Sequence, residues 1–165
     1  MEYKWHKDEE NILHVISQKA FDMSEFHKNN YLILQNTLKY YKIPVIVISG
    51  INSVIAVGLN DYIEQNIISV TNCLLALICG IIGSIELYLK ISENMNREFI
   101  SGRDLYLLHI DIKKTLALEP QNRNVDGDVY LTNVYNKYIK NVSNAEIMIG
   151  NKLFHDFTPP VMIDV

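Results

Sequence analysis

Two uninterrupted apolar runs, Ile43 to Leu59 and Ile67 to Ile85, dominate the polarity pattern of the chain, and only Asn60 to Asn66 separate them. The first run has 17 residues. At about 1.5 Å per helical residue it covers about 25 Å, a little short of a hydrocarbon core about 30 Å thick, and Tyr40 and Tyr41 supply the missing turn. The second has 19 residues and continues through Glu86 into LYLKI, enough to span with some tilt. Neither run carries a charge before Glu86.

A helix that is apolar on every side is either a core helix or a membrane span. A chain of 165 residues makes about one domain, which has too little outer layer to bury two such helices, so the pattern predicts spans. With 42 residues ahead of the first run, a cleavable signal peptide is not expected. Loop charge sets the orientation. His27, Lys28, Lys39 and Lys42 precede the first span and Lys90, Arg97 and Arg103 follow the second, while the turn holds Asp61 and Glu64 without Lys or Arg. Both termini are expected on the cytoplasmic or an equivalent side, with two antiparallel spans joined by a tight outer turn.

The flanks read as amphipathic helix. From Asp8 to Lys42, Ile12, Ile16, Ala20, Met23, His27, Tyr31, Leu34, Leu38 and Tyr41 recur at steps of three and four. One long or once-broken helix fits, with Asn29 and Asn30 as the weakest point. Pro44 falls in the first turns of the span, where a missing amide is tolerated or gives a modest kink. After the second span the helix has no obvious stop before Leu118; Ser101 and Gly102 suggest a hinge, with Ser101 capping a second helix supported by Asp104. Pro120 ends it, and QNRNVDGD is turn-rich. A further helix is predicted over about Val129 to Val142, with Tyr130, Leu131, Val134, Tyr135 and Tyr138 on one face.

The expected architecture is all-α: an amino-terminal amphipathic helical region (1–42), a membrane-inserted antiparallel two-helix hairpin (43–91, with spans about 43–59 and 67–89), a helical cytosolic or virion-side region (92–143) and an extended tail (144–165). In the tail, Pro159 and Pro160 forbid regular helix, and Phe154, Phe157, Val161, Met162 and Ile163 are too apolar for a solvated end. A docking segment, on a partner or on the chain's own bundle, fits this composition.

Charge and chemistry narrow the function. A net charge of −4 without a clustered basic surface argues against a nucleic-acid partner. Cys73 and Cys79 lie on one helix and cannot pair within it, so they read as packing residues. His6, His14, His27, His109 and His155 are scattered singly, and no HExxH, CxxC, GxSxG or phosphate-loop pattern occurs. The DGD turn lacks the ligand alternation of an EF-hand. Neither enzymatic activity nor a metal or cofactor is expected.

What chemistry the spans hold is polar and small. Ser49, Gly50 and Ser53 share one side of the first span, and Gly80, Gly83 and Ser84 one side of the second. Small residues let helices approach closely in lipid, and Asn52 and Asn72 can hydrogen-bond across such contacts. These residues serve either helix-to-helix adhesion or an oligomeric pore. Glu86 is the ionisable group at membrane depth; it is expected to pair with Lys90 at the i, i+4 spacing, the sharper alternative being a pore or proton-relay role. A single two-span hairpin encloses no path, so transport would need several copies, and homo-oligomerisation is expected in either case.

The stretches YYKIPVIVISGINSVIAVGL, IISVTNCLLALICGIIGSIELYLKI and YLLHIDIKKTLALEPQNRNVDG, in this order, resemble the two-transmembrane proteins of large nucleocytoplasmic DNA viruses, which in turn resemble the SLATT class of two-transmembrane effectors. The similarity covers about residues 30 to 140 and involves no catalytic signature. It implies one of two roles. The first is a structural protein of a virion inner membrane, linking lipid to a capsid or another membrane-protein partner through its helical collar and tail. The second is an oligomeric pore-forming effector.

Overall fold

The computed structural model describes residues 4–58 and 62–144; the expected docking tail, with Phe154, Phe157, Pro159, Pro160, Val161, Met162 and Ile163, lies outside them. Every regular element among the described residues is helical: α1 (Lys7–Gly58), α2 (Gln65–Tyr88), α3 (Ile91–Leu116), a single 3-10 turn (Pro120–Asn122) and α4 (Gly127–Asn144). The chain forms two compact units. One combines Met1–Asn30 with Arg97–Val165; the other is Tyr31–Asn96.

The first unit is a three-helix collar. Leu13, Ile16, Ala20 and Met23 of α1 meet Leu105, Leu108 and Ile112 of α3 and Leu131, Val134, Tyr138 and Val142 of α4 in one buried cluster. These positions step by three and four along each helix, which keeps one stripe facing inward. Each fully buried aliphatic side chain contributes about 2 kcal/mol. Ile16, Ala20, Met23 and His27 of the predicted stripe are buried, while Leu13 takes the innermost place beside a partly buried Ile12.

Of the two alternatives for the first helix the unbroken one holds, the expected hinge at Ser101 and Gly102 is absent, and one break occurs where none was expected. Helix α1 runs through Asn29 and Asn30. Their propensity cost is below 1 kcal/mol each, and the Asn30 amide, 3.4 Å from Glu98 Oε2, adds a tertiary contact. Helix α3 likewise passes straight through Ser101 and Gly102. The glycine marks a close approach instead of a hinge: a Cβ there would stand 3.2 Å from His27 Cβ and 3.3 Å from the Ser24 carbonyl oxygen. The real interruption lies within the second unit, at Leu89 and Lys90. Lys90 adopts φ 50, the left-handed region that a lysine seldom visits, so α2 ends and α3 starts afresh at Ile91.

Polar contacts staple the collar. His27 Nδ1 lies 2.6 Å from Glu98 Oε2, and His109 Nδ1–H donates to the Ser17 carbonyl at 2.8 Å with the Ser17 hydroxyl at 2.9 Å. At the start of α1, Glu9 in the first turn accepts from the His6 amide at 2.8 Å, half of a capping box. The same carboxylate fills the space where a Cβ on residue 127 would stand, so any larger residue there would have to displace the Glu9 side chain. Its amide donates to the Lys4 carbonyl at 3.0 Å, and the Lys4 amide donates to Asp126 at 2.9 Å.

Arg123 completes this clasp. It is 4 % exposed, donates to the carbonyls of Leu118 and Leu116, pairs with Glu10 at 2.5 Å and stacks 4.2 Å from the Trp5 ring. The planar guanidinium satisfies all of these at once, which a lysine would not. Replacing Arg123 with Ala is expected to cost about 3 kcal/mol, because Glu10 and two carbonyls lose their donor, and denaturant unfolding of the full chain measures it.

Burial pushes the Tyr138 phenol up to about 12 from the ordinary 10.0. The folded chain thus holds this proton more tightly than the unfolded one. The associated stabilisation is complete below the unfolded value of 10.0 and is lost as pH rises through about 12. Tyr138→Phe is expected to make the alkaline loss of stability shallower by up to about 1.4 kcal/mol per pH unit within that window, read as unfolding midpoints against pH. Burial raises Tyr130 as well, so part of the slope remains in the variant.

Candidate functional site

The second unit pairs the distal half of α1 with α2. Tyr31, Leu34, Leu38, Tyr41, Val45, Ile48, Asn52 and Ile55 form the half-buried seam of α1, and buried Ile68 with half-buried Asn72, Leu75, Cys79, Ile82 and Glu86 form that of α2. Both step alternately by three and four, the 3.5-residue period of a left-handed helical pair. Cys79 sets the register: its sulfur lies 3.8 Å from the Ser49 hydroxyl and 4.0 Å from the Val45 carbonyl oxygen. The two cysteines are unpaired, with Cys73 exposed.

Outside this seam the hairpin is open. None of the most apolar window of α1 is buried, and only 6 % of that of α2. Ile46 is 69 %, Val54 67 % and Val57 81 % exposed on α1, as are Val70 at 61 % and Leu77 at 59 % on α2. Both helices are long and apolar enough to cross a membrane.

The polar and small residues divide by position. Asn52 and Asn72 lie on the inner seams, and both side-chain carbonyl oxygens are buried with no hydrogen-bond partner. The hydroxyls of Ser53 and Ser84 turn back onto their own helices, donating to the Ser49 carbonyl at 2.9 Å and the Gly80 carbonyl at 2.8 Å. Gly50, Gly80 and Gly83 do not mediate the α1–α2 contact, since a Cβ on any of them would meet nothing within 4 Å. On α2, Ala76, Gly80 and Ser84 instead line a shallow groove of about 560 Å³ that ends at Tyr88. Ala76 belongs to this small-residue row although the sequence pattern did not single it out; its four-residue spacing from Gly80 was the available signal.

Glu86 differs from its expected pairing. Its Oε1 accepts a hydrogen bond from Ser92 at 2.6 Å, while the Lys90 ammonium lies 3.8 Å from Glu93. The left-handed Lys90 backbone explains this, because the i, i+4 geometry holds only along continuous helix. Among the described residues no group of three His, Cys, Asp or Glu side chains is gathered as a metal site.

Among the described residues the arrangement is all-helical, with two candidate membrane helices in a hairpin and a helical collar as a second unit. No known family profile matches the chain, and no solved structure matches it. Its sequence is similar to that of a viral protein, the "Uncharacterized protein VP11" of Micromonas pusilla reovirus, with 24 % identity over 162 residues that cover 95 % of this chain and 83 % of the relative. The likeness to a viral protein is thus found. The relative comes from a reovirus and not from a large DNA virus, and its name says nothing of the SLATT class.

With open space around them, Gly50→Ala, Gly80→Ala and Gly83→Ala are expected to leave the isolated chain as stable as before or up to about 1 kcal/mol more stable, as alanine in place of glycine stabilises a helix. Denaturation in detergent, at a dilution where the chain is monomeric, checks this. A loss of stability would mean that these glycines are in close contact within one chain.

Proposed function

We propose that the chain is a non-enzymatic, two-pass membrane protein of a virus, anchored by the α1–α2 hairpin in a virion inner membrane and linking that membrane to the capsid through its collar and tail. One observation carries the reading: two adjacent helices expose aliphatic side chains around most of their circumference over the length of a bilayer core. Soluble monomers rarely expose a contiguous apolar surface beyond a few hundred Å², whereas lipid tails cover it without cost. The viral relative spans nearly the whole chain and supports the viral setting.

In this reading the lipid bilayer is the first partner, a second copy of the chain the next, and a capsid or other membrane protein the third. The charge asymmetry around the spans favours both termini on the cytoplasmic or equivalent side. The collar's folded core gives the anchor a rigid surface outside the lipid, and the apolar, proline-containing tail supplies a segment able to lie along a neighbouring subunit.

The full chain, expressed in membranes, is expected to resist alkaline carbonate extraction and to show both termini accessible from the cytoplasmic side only. Release into the supernatant would remove the anchor. In purified particles its copy number should be comparable to that of capsid components; absence from particles would remove the virion role. Rapid dye release from liposomes holding the pure protein at low density would favour the pore-forming alternative.

A further inference from the structure

We propose that the side-chain amides of Asn52 and Asn72 bond to one another across the hairpin and lock its antiparallel register. The inference goes beyond the anchoring role and does not depend on it. It starts from the Cys79 contact with Val45. Seven residues, two helical turns, lead from Val45 to Asn52 along α1, and the same seven lead from Cys79 back to Asn72 along α2. In an antiparallel pair these steps run in the same direction, toward the turn. They bring Asn52 and Asn72 to the same level, one heptad above the observed contact.

Chemistry agrees with this placement. Each amide offers two N–H donors and a carbonyl acceptor, and both carbonyl oxygens are buried and unpartnered. The neighbouring seam residues Ile48, Ile55, Ile68 and Leu75 have no polar side-chain atom to offer. A half-turn of either amide exchanges its oxygen and nitrogen within the same volume, so an N–H of one residue meets the carbonyl of the other without any change in packing. A neighbouring copy is a poorer source of donors, because the oxygens are shielded inside the seam while the outer faces of both helices are open.

The pairing would also decide which of the alternative registers the hairpin adopts. Aliphatic seams slide by a heptad with little change in contact, but such a slip would separate the two amides, placing Asn72 opposite Val45 or Leu59 and Asn52 opposite Gln65 or Cys79. One polar layer suffices to exclude these arrangements.

Cross-linking tests the layer directly. In the full-length chain with Cys73→Ala and Cys79→Ala, the pair Asn52→Cys and Asn72→Cys is expected to form an intrachain disulfide on mild oxidation in most molecules. The pair Asn52→Cys and Ala76→Cys, one turn out of register, should form little. Equal yields, or a predominantly chain-to-chain disulfide, would overturn the proposal. The bond itself is read from Asn52→Leu, Asn72→Leu and their double variant. Each single change is expected to lower the folded-to-unfolded ratio about 3- to 20-fold, and the double variant by no more than either alone. Independent, multiplying losses would show that the two amides act separately and would overturn the pairing even if the disulfide forms.

Discussion

The physical constraint behind this structure is the scarcity of polar surface relative to the apolar surface it would have to cover. The collar needs three helices to hide one stripe from each, and its central residues Leu13, Leu105, Ile112 and Tyr138 are fully buried. The hairpin has two helices that are apolar on every side and only one seam between them. Its outward aliphatic faces therefore meet whatever surrounds the chain, and a bilayer is the surrounding that imposes no cost on them. The same economy explains the inner seam: where only one side of each helix is covered, that side is where buried polar groups and the register they set have most effect.

The hairpin and the collar helices were legible because their information is local. Apolar run length and steps of three and four are properties of consecutive residues, and they gave α2 as observed to within a few residues and most of the buried faces of α1 and α4. The hinge at Ser101 and Gly102 was misread because glycine has two meanings, chain bending and close approach, and only the residue opposite distinguishes them. Here that residue is His27, 75 positions earlier in the chain. The actual interruption at Lys90 had no glycine or proline to announce it.

The clasp was illegible for a related reason. Arg123 lies in a stretch that reads as turn, and nothing near it indicates that Glu10, 113 positions away, is its partner. The candidate residues of the hairpin fall between these cases. Asn52 and Asn72 were recognisable as polar positions in apolar runs, but their burial and their shared level depend on how the two helices meet. Gly50, Gly80 and Gly83 were recognisable as small, and only the folded hairpin shows that they look outward.

The collar is also divided in the order of its synthesis. Its first face, on α1, leaves the ribosome well before α3 exists, and contacts such as Ser17 with His109 join positions 92 residues apart. At about 5 to 20 residues per second, that interval lasts roughly 5 to 20 s. Both apolar runs emerge within it, so Leu13, Ile16 and Met23 stay uncovered until the hairpin is complete. A finished collar is therefore a record that the hairpin has already been made, and a chain halted between the two runs keeps a sticky, unfinished helix exposed to chaperones and proteases.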